Sequence, residues 1–300
     1  MKLPKISIVT PSFNQGRFLE ATIQSVVNQN YPNLEYIIID GGSTDESVEI
    51  IKKYENCLHY AVSERDLGHG NALNKGFAKA TGEIMAWINS DDMYLPWCFY
   101  VVSQVFERHP EVEWIVGWHT HYNVEGKVIK TRKVYKNIYD FLLGNYAWIQ
   151  QESVFWRRSL WEKTGGFIDE SYEFMVDGEL WSRFFLHTNI YHVDCMLGGY
   201  RLHDSNRAKI FNQQCHSEMK KIISKLSCSY KCTHEVNNQL SQARKIIRFK
   251  KLVFNKYYHK VSLLPLYRKF KGDHYLSELD YLTIAFENGD WKINRFPFSI

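Results

Sequence analysis

A chain of 300 residues with 45% hydrophobic content is long enough to bury one large core, or one domain with a sizeable extension. No segment approaches the roughly 20 consecutive apolar residues that a membrane span needs, and the first five residues run straight into a strand pattern rather than a signal-peptide core, so the chain reads as cytosolic. Its net charge of +4 is unevenly spread: ten Lys or Arg and no Asp or Glu fall between Arg244 and Lys271, which leaves −6 for the remainder and argues against a general nucleic-acid binder, whose basic footprint would lie on the main domain.

Four strand patterns, residues 6–10, 35–40, 58–62 and 83–88, alternate with helical ones through the first 110 residues, which predicts a parallel sheet. The helix over 17–29 carries Leu19, Ile23, Val26 and Val27 on one face and ends at the Tyr31-Pro32-Asn33 turn. After Asp40, Ser43 and Glu46 have capping-box spacing and open a helix through Tyr54. A further helical run covers 97–108. Beyond Pro110 the pattern changes to strand-like runs at 113–118 and 127–135 around a hairpin loop at 123–126. His119 and His121 alternate on such a strand, share a face and read as structural. Helices are expected from Ile210 onward, then a polar-aromatic tail of uncertain order. The expected organisation is thus an α/β domain over 1–209, with halves 1–110 and 111–209, and a mainly helical basic extension over 210–300. Cys57, Cys98, Cys195, Cys215, Cys228 and Cys232 follow no disulfide or zinc framework and read as free thiols.

Chemistry concentrates where the strands end. The fourth strand empties into Asn89-Ser90-Asp91-Asp92, and paired carboxylates outside the carboxyl end of a parallel strand suit a hard divalent cation bridging to phosphate oxygens. The first strand ends Thr10-Pro11-Ser12-Phe13-Asn14, the second Asp40-Gly41-Gly42-Ser43, and the third runs into Asp66-Leu67-Gly68. A nucleoside needs a flat apolar surface against its base and carboxylates or amides for the base edge and ribose, which Pro11, Phe13, Asn14 and Asp40 could supply. Gly41 and Gly42 permit close approach. The G-x-G-x-x-G fingerprint is absent from the first strand-to-helix turn, which argues against a dinucleotide-dependent dehydrogenase.

Taken together, these residues resemble the nucleotide-sugar-binding half of the family 2 glycosyltransferases, inverting enzymes of the GT-A fold with a mostly parallel central sheet flanked by helices. The resemblance runs over 5–203. It implies that Asp66 contacts base or ribose, that Asn74 and Lys75 lie near the donor, that Ser90 shapes the turn, and that Asp91 takes the ribose and Asp92 a divalent metal, Mn²⁺ or Mg²⁺. The segment Tyr200-Arg201-Leu202-His203 matches the family's R-x-H and offers His203 as a second metal ligand.

An inverting transfer needs a base to take the acceptor hydroxyl's proton. In Phe174-Met175-Val176-Asp177-Gly178-Glu179, Asp177 occupies the family position of that base; Val176 stands where the family has Glu, and Glu179 where it has Asp. Glu179 is the fallback base, although on a helix starting here it points about 200° away. Gly165, Gly166 and Phe167 resemble the loop bordering the acceptor, with Trp181 and Gln151 as neighbours.

The resemblance implies a metal-dependent hexosyl- or N-acetylhexosaminyl-transferase using a nucleoside diphosphate sugar, UDP-linked by preference. Its acceptor would be a glycan or lipid-linked saccharide of a bacterial surface polysaccharide such as lipopolysaccharide or capsule. A sugar nucleotidyltransferase shares the nucleotide-binding sheet but needs a basic glycine-rich loop that the first strand lacks. A non-catalytic carbohydrate-binding protein of the same fold would have no need of Asp91, Asp92, Asp177 and His203 together. The stretch 244–271 interleaves its cations with apolar residues, a pattern that suits peripheral contact with the inner face of the cell membrane.

Overall fold

The computed structural model describes residues 3–144, 148–254, 263–272 and 276–298. Its first half follows the hydrophobic periodicity: β1 (Ile6–Ser12), α1 (Gly16–Val27), β2 (Leu34–Asp40), α2 (Ser47–Lys53), β3 (Tyr60–Ser63), α3 (His69–Phe77) and β4 (Ile84–Trp87). β1 lies between β2 and β4, parallel to both, and β3 joins parallel to β2. β1, β2 and β4 are buried almost throughout, which is why they read as near-continuous apolar runs rather than alternating ones. One local expectation is corrected: Ser43 and Glu46 form no capping box. The Ser43 hydroxyl donates to the buried carboxylate of Asp40 at 2.6 Å, and Asp45 accepts the N–H groups of Gly16 and Ser47 at 2.9 and 3.0 Å instead. A buried carboxylate at a strand end needs donors more than an exposed helix start does.

The second half interleaves two sheets. It runs β5 (Met93–Tyr94), α4 (Cys98–Arg108), β6 (Trp114–Val116), β7 (His119–Tyr122), β8 (Val128–Arg132), α5 (Ile138–Leu142), β9 (Val154–Arg157), α6 (Arg158–Lys163), α7 (Val176–Phe185), β10 (Tyr191–Val193) and β11 (Gly198–Arg201). β9 enters antiparallel between β4 and β6. β7 and β8 form the hairpin expected around 123–126, and with β11 and β5 they make a small second sheet in the order β5-β11-β7-β8. His119 is buried on β7, where burial pushes its pKa down to about 3 and keeps it neutral.

After α8 (Arg207–Ile210), α9 (Asn212–Ser229), α10 (His234–Phe254) and α11 (Leu264–Lys271), the chain returns to the sheet. β12 (Tyr281–Glu287) pairs parallel with β10, and β13 (Asp290–Phe296) closes a hairpin on it, giving the order β13-β12-β10-β6-β9-β4-β1-β2-β3. The polar-aromatic tail is therefore ordered as the edge of the main sheet. Trp87, Trp114 and Trp156 sit fully buried in the main core, and a second cluster joins Val236, Leu240, Ala243 and Ile246 of α10 to Leu276, Leu279, Tyr281 and Phe298.

Candidate active site

The polar tip beyond β4 is held from three sides. The Thr22 hydroxyl of α1 lies 3.0 Å from the carbonyl of Ser90 and 2.7 Å from that of Asp92, the Gln151 amide donates to the Trp87 carbonyl at 2.6 Å, and Arg201 Nε donates to the Asp91 carbonyl at 2.6 Å. With its backbone fixed, the tip sends its two carboxylates in different directions. Asp91 Oδ2 faces His203 Nε2 at 3.0 Å. Asp92 turns inward, fully buried, and accepts the Arg201 N–H at 2.8 Å and the Asn89 amide at 3.3 Å.

The contacts differ from the expected pairing of Asp92 with His203: the histidine meets Asp91, and Asp92 lies beside a buried carboxyl that carries no sequence signature, Glu152. Burial drives both carboxyls toward the protonated form. Asp92 is pushed well above the usual carboxylate range by desolvation and by the charges of Asp91 and Glu152, and Glu152 is pushed up to about 7, chiefly by burial. Two carboxyls in one dry site hold a proton between them rather than two negative charges.

The donor set at Asp91 and His203 fits a hard divalent ion. Asn206 is oriented by accepting the His203 N–H at 2.8 Å, which leaves its amide N–H₂ 2.8 Å from His203 Nε2 and assigns that ring nitrogen as an acceptor. The Asp91 carboxylate is thus a second acceptor facing it, and an ion held by both would displace the Asn206 N–H from the single lone pair of Nε2. Their 3.0 Å separation is also that of adjacent ligands on an octahedral ion with bonds of about 2.1 Å. Among the described residues no group of three or more His, Cys, Asp or Glu stands ready for a metal. Such an ion would take its remaining ligands from substrate oxygens and water, as Mg²⁺ commonly does.

Asp177 is the second residue of α7. It accepts the N–H of Gly178 at 2.7 Å, and burial, with a smaller contribution from the charge of Glu218, raises its pKa to about 6. Glu179 is engaged elsewhere: it is buried, and its carboxylate accepts from Arg183 Nε at 3.0 Å and Nη2 at 2.8 Å. The same guanidinium donates to the carbonyls of Thr164 and Phe167 at 2.7 Å each and lies 4.6 Å over the Phe167 ring. Gly165 and Gly166, at φ of 108° and 70°, turn the chain so that this clasp can close. Phe167 remains exposed; Trp181 does not. Its ring stacks at 5.5 Å on Trp87 and 5.6 Å on Trp114 inside the core, so it is a packing residue with no exposed face for the contact expected of it. The Glu152 carboxyl is raised chiefly by burial, with smaller contributions from the charges of Asp177 and Asp91.

Around the ends of β1 to β3, Phe13 is exposed, whereas Pro11 is buried in register with Ile39. Asn14, at φ 51°, accepts the Thr44 N–H through its side chain at 2.8 Å. Asp40 is fully buried and its oxygens are taken up by Ser43 and by the Ser63 hydroxyl, so it braces the turn instead of presenting a free edge. Asp66 accepts the Gly68 N–H at 2.8 Å and packs against Gly41, where a Cβ would come within 2.8 Å of its Oδ2. Asn74 latches the two halves together, bonding both backbone groups of Ile168 and the Glu170 carboxylate, while Lys75 pairs with Glu64 at 2.7 Å.

Comparison with known proteins agrees with this architecture. The solved structure of S. aureus TarS 1-349 in complex with UDP-GlcNAc superposes with a TM-score of 0.63 at 15% identity, over 99% of this chain and 98% of that one. The mannosyltransferase PcManGT from Pyrobaculum calidifontis, in complex with GDP-Man and Mn²⁺, gives 0.53 at 16% identity over 92% and 86%. In sequence, an uncharacterized glycosyltransferase of Nostoc sp., alr2836, is 34% identical over 106 residues, 34% of this chain and 33% of that one, so this chain spans about a third of its length. The family described as "Glycosyl transferase family 2" matches residues 7–168, from β1 through the loop that Asn74 latches. That match exceeds half of the chain, and with it the chain belongs to glycosyl transferase family 2.

Proposed function

We propose that this enzyme is an inverting, divalent-metal-dependent transferase that moves a sugar from a nucleoside diphosphate, UDP by preference, to a hydroxyl of a glycan or lipid-linked saccharide in surface-polysaccharide assembly. The observation that carries the reading is the pairing of unlike carboxyls in one site: Asp91 facing the acceptor nitrogen of His203, and Asp177 raised to about 6 at the start of α7. A donor sugar nucleotide is favoured by the names of the two superposed structures, complexes with UDP-GlcNAc and with GDP-Man and Mn²⁺.

The donor nucleoside would lie across the ends of β1 to β3, with Phe13 against the base and Asp66 at the base or ribose. Asp40, Asn14 and Asn74 hold those loops in place. Asp91 and His203 would hold the ion, which stabilises charge building on the leaving diphosphate. Asp177 accepts the proton of the acceptor hydroxyl as its oxygen bonds to the anomeric carbon from the face opposite the diphosphate, and the bond to the phosphate oxygen breaks. A base whose pKa is near the working pH is both deprotonated and basic enough for that step. Incubation with a panel of nucleotide sugars and Mn²⁺, scored for slow donor hydrolysis, tests the reading. Hydrolysis of one donor, lost on adding EDTA, is expected; turnover undiminished in EDTA would overturn the metal dependence, and no turnover of any donor would overturn the donor class.

The extension supports a second element, contact with an anionic membrane surface from the cytosolic side. α10 and α11 turn Leu240, Ala243, Ile246, Ile247, Leu263 and Tyr267 toward the second core cluster. Their other faces expose Phe249, Leu252, Val253, Leu266 and Phe270, among the exposed cations Arg244, Lys245, Arg248, Lys269 and Lys271. Lys250 is buried and Arg268 is paired with Asp280 at 2.7 Å, so neither belongs to that face, and Lys256 and Lys260 lie outside the described residues. No described helix is long and apolar enough to cross a membrane.

A further inference from the structure

The start of α7, which carries Asp177, is held from another helix. Met175, at the helix N-cap, supplies no side-chain acceptor. The Glu218 carboxylate of α9 takes that place: Oε1 accepts the N–H of Glu173 at 3.0 Å, and Oε2 accepts those of Phe174 and Met175, each at 2.9 Å. Three successive backbone donors on one carboxylate form a charge-assisted clamp, and its negative charge sits where the helix dipole favours it. The same stretch is gripped further. The Phe174 ring packs tilted against that of Phe211 at 5.0 Å with the Arg207 guanidinium 5.3 Å from its ring, and α9 approaches so closely at Gly178 that a Cβ there would lie 2.9 Å from Met219 Sδ.

We infer that Glu218 is a positioning residue for the general base: by clamping residues 173–175 it sets where the Asp177 carboxylate stands relative to the acceptor hydroxyl. The inference rests on the proposed role of Asp177. Proton transfer needs heavy atoms within hydrogen-bond reach, and a displacement of about 1 Å costs on the order of 10²-fold in rate. The charged and titratable groups facing Asp177 are Glu218 and Cys215 from α9 and Glu152 from the turn before β9. Of these, Glu218 is the one that also bonds the backbone leading to it.

Glu218→Gln keeps the side chain's shape but removes its charge and one of its two acceptors, and Glu218→Ala removes the clamp entirely. Turnover should fall about 10-fold in the Gln variant and approach 10²-fold loss in the Ala variant, with donor KM within about two-fold of wild type. With the like charge gone, the acid limb of the kcat–pH profile should move to lower pH in Glu218→Gln, a change that mere loosening of the fold does not produce. Donor binding followed by calorimetry verifies that the variants are folded. If Asp177→Asn is inactive while Glu218→Gln keeps wild-type kcat and an unmoved acid limb, the positioning role is wrong and the base stands. If Asp177→Asn keeps wild-type turnover, it is the base that has been misassigned.

Discussion

Asp91 and His203 are 112 residues apart in the chain and 3.0 Å apart in the fold, brought together because β11 pairs with β5 immediately after the Asp91-Asp92 tip. Their closeness makes the metal assignment testable at two independent residues. Asp91→Asn and His203→Ala should each remove most transfer, since losing charge stabilisation of a leaving diphosphate costs several kcal/mol at the transition state. Mn²⁺ titration in the presence of the nucleoside diphosphate should show weakened binding in both. Asp92→Asn should stay closer to wild type in Mn²⁺ affinity, because the Asp92 carboxylate turns inward and is taken up by the Arg201 N–H and the Asn89 amide. Tight Mn²⁺ binding by His203→Ala together with its loss in Asp92→Asn would restore the pairing expected from sequence.

As the proposed base, Asp177 would give the reaction a pH dependence of definite sign. The deprotonated carboxylate is the competent base, so kcat should rise with pH through about 6 and level off above it. Asp177→Asn should lower turnover by roughly 10²- to 10⁴-fold and abolish that limb while donor affinity stays within a few-fold. Stability runs the other way. The folded pKa, about 6, lies above the ordinary 3.8, so the wild type loses stability as pH rises between those values. At neutral pH the Asn variant should be the more stable, by up to about 2 kcal/mol after allowing for partial exposure. Denaturant melts at acid and neutral pH read this directly, and a variant less stable at neutral pH would contradict it.

Trp181 discriminates core from acceptor contact. Stacked between Trp87 and Trp114, it should cost about 3–5 kcal/mol when replaced by alanine, as large buried aromatics do, and Trp181→Phe should recover much of that with near-normal acceptor KM. A raised acceptor KM at unchanged stability would return it to the site.

Much of the fold was legible because local physics and tertiary packing agreed. The buried strands of the first half are apolar runs separated by amphipathic helices, and the strand ends carry the polar residues. What escaped was of two kinds. The hairpin of β12 and β13 was written in the sequence, alternating residues around Asn288-Gly289, both with positive φ as a two-residue turn requires, yet the surrounding charge masked it. Glu152 and Glu218 had no such signature. A glutamate beside a strand and a glutamate on a polar helix look solvated, and only the crossing of β9 and the docking of α9 bring one to Asp92 and the other to the start of α7. The same limit explains Asp40 and Asn74: sequence located them at the site, but not that their polar atoms would be occupied by neighbouring protein groups.

The exposed face of α10 and α11 makes a prediction independent of catalysis. Leu252 and Phe270 are 84% and 80% exposed, and large apolar side chains so placed on consecutive helices are hydrated at a cost that entering a bilayer interface relieves. The cations around them add attraction to anionic lipid of about 1 kcal/mol each near the surface, weakened by salt. Wild-type protein should therefore pellet with anionic phospholipid vesicles at low salt, not with neutral ones, and be partly released at high salt. Replacing Lys245, Arg248, Lys269 and Lys271 by Glu should abolish pelleting, while Leu252→Ser with Phe270→Ser should leave low-salt binding but make release complete at high salt, because only the electrostatic attraction remains. Donor hydrolysis should be unchanged in both variants, since none of these residues lines the site. Equal pelleting with neutral vesicles would mean the cations play no part, and failure of the wild type to pellet at low salt would remove the membrane surface as the occupant of this face.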